Sequence, residues 1–103
     1  MAFWRAATVN EVPPGAVIEV IRGNDLYAVC NVAGEIRAIS GVCPHARGPL
    51  GQGTLHGDVI LCPWHMWGFD SKSGECDFNP KLHVPAFPVK VEDGVVYLDT
   101  PDA

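Results

Sequence analysis

Glycine and proline are spread so closely along this chain that a long helix has almost nowhere to form. The 103 residues include 11 glycines and 9 prolines, and few windows of about 12 residues, the length of a typical helix, lack one of them. Proline lacks the amide donor that a helix needs, and glycine loses the most backbone entropy when it is fixed in one. The chain is therefore expected to fold from short strands joined by tight turns.

Short apolar segments alternate with turn sequences along most of the chain. Residues 26–32 read LYAVCNV, and the chain near its end places Glu92-Asp93-Gly94, a strong hairpin signal, between two apolar segments. Strands at this spacing predict an all-β sandwich or barrel of antiparallel strands. The predicted strands are residues 16–21, 26–32, 35–39, 59–61, 87–91 and 95–98.

Length, composition and charge narrow the class of protein. The chain fits one domain, residues 1–103, and its 48% apolar and 18% charged residues are typical of a globular fold. No apolar segment approaches the roughly 20 residues that span a bilayer, and no signal peptide is visible, so a cytoplasmic protein without a membrane anchor is expected. The net charge of −5 argues against a nucleic-acid binder and favours partners with a basic face.

Two stretches, residues 41–53 and 62–80, lack the strand pattern and are predicted to be long irregular loops. The first contains Cys43-Pro44-His45 and the second Cys62-Pro63-Trp64-His65. Each loop thus offers one thiolate and one imidazole, which together are ligands for a metal centre. A structural zinc ion also accepts two sulfurs and two nitrogens, although common zinc modules pair two cysteines in one loop and two histidines in the next. A nucleophilic Cys–His pair would leave the duplication unexplained.

This arrangement resembles the Rieske iron–sulfur family, whose pattern is Cys-x-His, a spacer of this size, and Cys-x-x-His. The resemblance extends to residues 46–53 and 67–75 and covers essentially the whole chain. It implies a Rieske fold with a β-sandwich base and a cluster-binding subdomain at about residues 41–83. It also implies one [2Fe–2S] cluster, with two cysteines on one iron and two histidines on the other. The implied ligands are Cys43, Cys62, His45 and His65.

The resemblance further distinguishes among Rieske proteins. Respiratory members have a disulfide where this chain has Gly48 and Trp64, and a serine and a tyrosine where it has Trp67 and Phe69. Without those hydroxyls, which hydrogen-bond to the cluster and raise its potential, the expected potential lies near the low end of the Rieske range, about −150 mV. The chain is therefore most similar to Rieske-type ferredoxins, which are not enzymes but monomeric carriers. These take electrons from an NAD(P)H-dependent reductase and pass them to an aromatic-ring-hydroxylating oxygenase.

Two alternative functions remain open from the sequence. The small subunit of an assimilatory nitrite reductase has the same fold and some of the same loop sequence. A metal-stabilised interaction module would use the same ligands without a redox role.

Residues outside the four implied ligands carry weaker expectations. Cys30 is predicted to be buried, Cys76 to be partly exposed, and neither to form a disulfide. His56 and His83 are given no functional role. The remaining expectation is a hydrophobic collar around the cluster, formed by Trp64, Met66 and Pro80.

Overall fold

The computed structural model describes residues 3–44, 47–64 and 66–101. These residues form ten strands, and two short 3₁₀ turns lie at Val9–Glu11 and Leu50–Gln52. No helix among them is long and apolar enough to cross a membrane. The strands are β1 Phe3–Thr8, β2 Val17–Arg22, β3 Asp25–Val32, β4 Glu35–Ser40, β5 Thr54–His56, β6 Val59–Leu61, β7 Gly68–Asp70, β8 Ala86–Phe87, β9 Val89–Glu92 and β10 Val95–Asp99.

The strands form three antiparallel sheets. Their orders are β1-β10-β9, β2-β3-β4-β8 and β5-β6-β7. The first two sheets share a core that includes Val29 from β3 and Leu98 from β10. They form the base of the domain, and the predicted all-β fold is confirmed. The two predicted loops adjoin the third sheet. Residues 41–53 end directly before β5, and residues 62–80 begin directly after β6.

All six predicted strand segments are strands in the structure, with one interruption. Pro88 separates β8 from β9, because proline has no amide hydrogen for the ladder. Strands β1, β5 and β7 were not predicted from the sequence. The prediction that residues 62–80 are wholly irregular is wrong at β7, whose three residues pair with β6 through Ile60 and Phe69. A strand this short is stabilised by its neighbour and carries little pattern of its own.

The second strand of the central sheet, β3, is buried on both faces. Tyr27 and Val29 contact the core of the base, while Ala28 and Cys30 contact a second core under the loops. This double burial explains why residues 26–32 are nearly continuously apolar, since alternation is expected only where one face meets water. The sheet is thus the layer on which the loop region rests.

The second core joins the central sheet to the two loops. All four cysteines lie in it, together with Ile60, Phe69 and Val84. Cys30 is buried as predicted, but the expectation that Cys76 is partly exposed is wrong. The amide of Cys76 donates to the carbonyl of Leu82 at 3.1 Å, which turns the residue into the core. Cys30 and Cys76 do not form a disulfide.

Candidate metal centre

Two cysteines that follow strands of different sheets bring the loops into one core. Cys43 lies three residues after β4, and Cys62 directly follows β6. Both side chains belong to the second core and are 0% and 1% exposed. Gly41 allows the first loop to lie close to β3, because a Cβ at this position would lie 2.8 Å from the backbone nitrogen of Tyr27. Two buried thiols on adjacent loops are the sulfur ligands that an iron–sulfur cluster requires.

The two loops have the same backbone hydrogen-bond pattern. The carbonyl of Cys43 accepts from the amide of Arg47 at 2.6 Å, and the amide of Cys43 donates to the carbonyl of Gly48 at 2.9 Å. The carbonyl of Cys62 accepts from Met66 at 2.8 Å, and its amide donates to Trp67 at 2.8 Å. Each cysteine therefore opens a turn closed by the residue four positions later. The loops are structural equivalents, although the sequence places one histidine two residues after its cysteine and the other three.

The fourth residue after each cysteine adopts a left-handed backbone conformation. Arg47 and Met66 both have φ of +61°. Residues with a Cβ rarely adopt this conformation, which glycine adopts without a steric penalty. Met66 was predicted to lie in the hydrophobic collar, but neither its left-handed backbone nor its equivalence to Arg47 was predicted from the sequence. Only the three-dimensional pairing of the loops reveals the second point.

Gly48 lies where the two loops are closest. A Cβ at this position would lie 2.7 Å from the Sγ of Cys62 and 3.2 Å from the indole of Trp64. The two positions that the resemblance matched to a loop-bridging disulfide are thus in contact in this chain. A glycine and an indole cannot form that bridge, so the loops are packed together by the ring of Trp64 against the bare backbone of Gly48.

The predicted histidine ligands, His45 and His65, lie outside the described residues. Among the residues that are described, no group of three or more histidine, cysteine or acidic side chains is arranged to hold a metal ion. The structure places Cys43 and Cys62 in the same core. The assignment of all four residues as ligands stays a prediction.

The part of the second loop around β7 packs onto the second core. Phe69 is fully buried in the second core, and the ring of Trp67 stacks on Phe78 with centroids 4.6 Å apart. The amide of Gly68 donates to Oδ1 of Asp77 at 3.0 Å, which fixes this stretch to the loop that follows it. Phe78 was missed by the sequence analysis. Only its stack on Trp67, a contact between residues 11 positions apart, marks it.

Large apolar side chains are exposed at the loops. Trp64, Met66 and Phe78 are 58%, 59% and 69% exposed, and Pro80 is exposed as well. Soluble domains usually bury such side chains, and a group of them marks a surface that contacts a partner. The three collar residues of the sequence analysis are therefore surface residues. Their effect on water access to the cluster stays a prediction.

Cys30 and Asp70 have pKa values that are shifted by their contacts within the fold. Burial raises the pKa of the Cys30 thiol, and hydrogen bonding to Ser71 opposes this shift. Cys30 is therefore an inert thiol of the core. Two backbone amides, those of Ser73 and Lys72, hold the pKa of Asp70 below its usual value while they close the turn after β7. His56 and His83 are exposed.

Comparison with known proteins agrees with this architecture. The Rieske [2Fe-2S] domain model matches residues 3–88. The chain is 34% identical over 101 residues to the biphenyl dioxygenase ferredoxin subunit of Pseudomonas sp. strain KKS102, covering 96% of this chain and 93% of that protein. The ferredoxin of Sphingomonas yanoikuyae B1 superposes with a TM-score of 0.88 at 31% identity, covering 97% of this chain and 100% of that one.

Two further structures represent the ferredoxins and the nitrite reductase small subunits. A chain in the complex of reduced oxygenase and oxidised ferredoxin of carbazole 1,9a-dioxygenase is 31% identical, with a TM-score of 0.85 over 93% of this chain and 91% of that one. A putative nitrite reductase small subunit from Mycobacterium tuberculosis has a TM-score of 0.87 over 99% and 97% of the two chains. It is only 19% identical, so this likeness shows the fold alone.

The donor set fits the cofactor that this family carries. The equivalent loops each offer one buried thiol and contain one histidine in their sequence, and thiolate and imidazole are the ligand types of a Rieske cluster. The match spans most of the chain, and the ferredoxin relatives extend it over nearly the whole length. The chain therefore belongs to the Rieske [2Fe–2S] domain family as a Rieske-type ferredoxin, an electron-transfer protein that holds a Rieske-type [2Fe–2S] cluster.

Proposed function

We propose that this protein carries single electrons from an NAD(P)H-dependent reductase to a terminal aromatic-ring-hydroxylating oxygenase. The observation that carries the proposal is the pair of equivalent loops, which places two buried thiols below exposed apolar side chains. The relatives support it as well. One is named as the ferredoxin subunit of biphenyl dioxygenase, and another is described in complex with an oxygenase.

The proposed ligands are two pairs, one for each iron. Cys43 and Cys62 hold the first iron, and His45 and His65 hold the second. The burial of both thiols and the equivalence of their loops support the first pair. The second pair rests on the sequence pattern alone. The bound cluster supplies one reversible electron step, and the loops supply a fixed, apolar surrounding for it.

We propose a low potential, about −150 mV, for the cluster. Phe69 is buried in the core with the two thiols and has no hydroxyl to donate to a cluster sulfur. Trp67, where respiratory members have a serine, has no hydroxyl either. The two missing hydroxyls remove polar stabilisation of the reduced cluster, which carries one more negative charge than the oxidised cluster. A low potential suits a carrier that is reduced from a nicotinamide.

The working form proposed here is a cytoplasmic monomer of one domain, residues 1–103, that binds its partners transiently. Buried Cys30 and Cys76 that form no disulfide suit a reducing compartment. Phe78 and Met66 offer an apolar contact of limited size, as a carrier that alternates between two partners needs. The net charge of −5 favours partners with a basic docking face.

Anaerobic stopped-flow mixing tests the function. The chemically reduced protein is mixed with the oxidised terminal oxygenase of a biphenyl dioxygenase system, and both chromophores are followed. The proposal predicts a second-order transfer that regenerates the oxidised ferredoxin, with no stable complex after gel filtration. A stable stoichiometric complex with a nitrite reductase large subunit would contradict it, as would a colourless zinc protein purified from iron-replete cells.

A further inference from the structure

The two equivalent loops expose two unlike side chains at one equivalent position. Arg47 and Met66 each lie four residues after a proposed cysteine ligand, and each has φ of +61°. The turn requires the left-handed conformation, but it does not require these side chains, because glycine would close the same turn without strain. A long side chain kept at a position that favours glycine indicates a use outside the turn.

The other left-handed residues with a side chain have a local explanation. Ala33 and Asp93, both with φ of +51°, each precede a glycine in a tight turn between paired strands. Hairpin turns of this kind need two successive residues with positive φ. Met66 lies in the longer connection between the paired strands β6 and β7, and Arg47 lies between the bridged residues Val42 and Pro49. Neither is followed by a second residue with positive φ, so a two-residue hairpin turn does not explain them.

Both side chains are available to a partner. Met66 is 59% exposed, and Arg47 is exposed too. Within the described part of the chain, Arg47 forms no ion pair. In a protein of net charge −5 a lone cation next to a cysteine loop is a local exception. The net negative charge steers the protein towards a basic face, whereas the positive charge of Arg47 is attracted to an acidic group.

We propose that Met66 and Arg47 form a two-point recognition surface for the terminal oxygenase. Met66 enters an apolar pocket of the oxygenase, and Arg47 pairs with a carboxylate beside that pocket. An apolar anchor supplies affinity, whereas one positive charge in a negatively charged protein fixes the orientation of the ferredoxin on the oxygenase. This inference rests on the proposed function. It adds the chemistry of the docking site on the oxygenase. That site is an apolar pocket with a carboxylate at its edge, and the surface around it is basic.

One comparison selects the oxygenase as the occupant, and the short distance that electron transfer requires selects the surface. A relative of this chain is described in complex with its oxygenase. Electron transfer also requires close approach to the cluster, and Arg47 and Met66 belong to the loops that carry Cys43 and Cys62. A partner that docks for electron transfer therefore contacts the surface on which these two side chains are exposed.

The test compares four variants of the full-length holoprotein. Met66→Gly and Arg47→Gln remove the proposed contacts. Ala33→Gly relaxes a left-handed residue in the turn between β3 and β4, and so controls for backbone strain. Ile21→Ala shortens an apolar side chain of β2 that is also exposed, and so controls for general surface hydrophobicity.

The measured quantity is the rate of oxygenase reduction against ferredoxin concentration at several salt concentrations. Met66→Gly is expected to raise the half-saturating concentration about fivefold to tenfold, the effect of losing one interface anchor. Arg47→Gln is expected to raise it about threefold and to flatten its dependence on salt. Both controls keep the wild-type value. The visible spectrum and the electron paramagnetic resonance spectrum stay unchanged in all four variants, and the midpoint potential stays unchanged in Arg47→Gln and in both controls.

Three results would overturn the proposal. If both contact variants reduce the oxygenase with the wild-type concentration dependence, these side chains do not recognise it. A changed electron paramagnetic resonance spectrum in Met66→Gly would show that the side chain packs on the cluster instead. If the wild-type protein reduces the oxygenase of neither biphenyl nor 3-phenylpropionate dioxygenase systems, the proposed function fails and this inference fails with it.

Discussion

A methyl group added at Gly48 should disturb the metal centre more than a methyl group added at any exposed turn. The Cβ of Gly48→Ala would lie 2.7 Å from the Sγ of Cys62 and 3.2 Å from the indole of Trp64. Carbon and sulfur atoms in contact prefer a separation near 3.7 Å, so the two loops must separate by up to about 1 Å. Overpacking of this kind costs roughly 1–3 kcal/mol.

The assay is anaerobic urea unfolding followed by cluster absorbance. For a domain of this size, with an m-value near 1–1.5 kcal/mol/M, this cost lowers the midpoint by roughly 0.7–3 M. The iron content per chain should fall as well, because the displaced sulfur belongs to a proposed ligand. Adding Trp64→Ala to Gly48→Ala removes the indole contact but leaves the sulfur contact, so it should restore only part of the stability.

Gly57→Ala is the matched control. Gly57 has φ of +62°, and nothing lies within 4 Å of a Cβ there, so this variant measures backbone strain without a steric clash. Its expected cost is about 1 kcal/mol with full cluster loading. If Gly48→Ala has the iron content of the wild type and is no less stable than Gly57→Ala, the argument that the loops meet at Gly48 is refuted.

Three further predictions address ligands, potential and pH. Cys43→Ser and Cys62→Ser should each abolish the visible cluster spectrum, whereas Cys30→Ala should keep it and lose roughly 1 kcal/mol of stability in urea unfolding; a normal cluster in either serine variant would refute the ligand assignment. Phe69→Tyr should raise the midpoint potential in voltammetry by about 20–60 mV, the equivalent of one net hydrogen bond of roughly 0.5–1.5 kcal/mol, and a lowered potential would count against the hydroxyl argument. Because hydrogen bonds hold the pKa of Asp70 below its usual value, its contribution to stability is present above the unfolded pKa and is lost as the pH falls through the folded one. Asp70→Ala should therefore cost about 1 kcal/mol at pH 7 and much less in strong acid, as measured by urea midpoints, and an equal cost at both pH values would contradict this reasoning.

The features that the sequence predicted are those that depend on local pattern. The continuous apolar run of β3 predicted a strand, and the Asp93-Gly94 turn predicted the β9–β10 hairpin. The two Cys–His loops indicated the metal centre, because no ordinary packing requirement produces the same unusual pair twice. Residue types and spacing were sufficient for these features.

The features that the sequence missed depend on contacts between distant segments. β1 is a strand because it pairs with β10 from the other end of the chain. The burial of Cys76 and the stack of Phe78 follow from how the loop after β7 folds back. The left-handed backbone at Met66 arises from the closing of the Cys62 turn, which residue preferences alone do not reveal.

An anaerobic reductive titration with electron paramagnetic resonance tests the central claim most directly. The account predicts that the purified protein takes up one electron per chain near −150 mV and then gives the spectrum of a mixed histidine and cysteine [2Fe–2S] cluster. Protein from iron-replete cells that takes up no electron would contradict the assignment as an electron carrier. A one-electron midpoint above about +100 mV would keep the carrier but overturn the explanation of its potential.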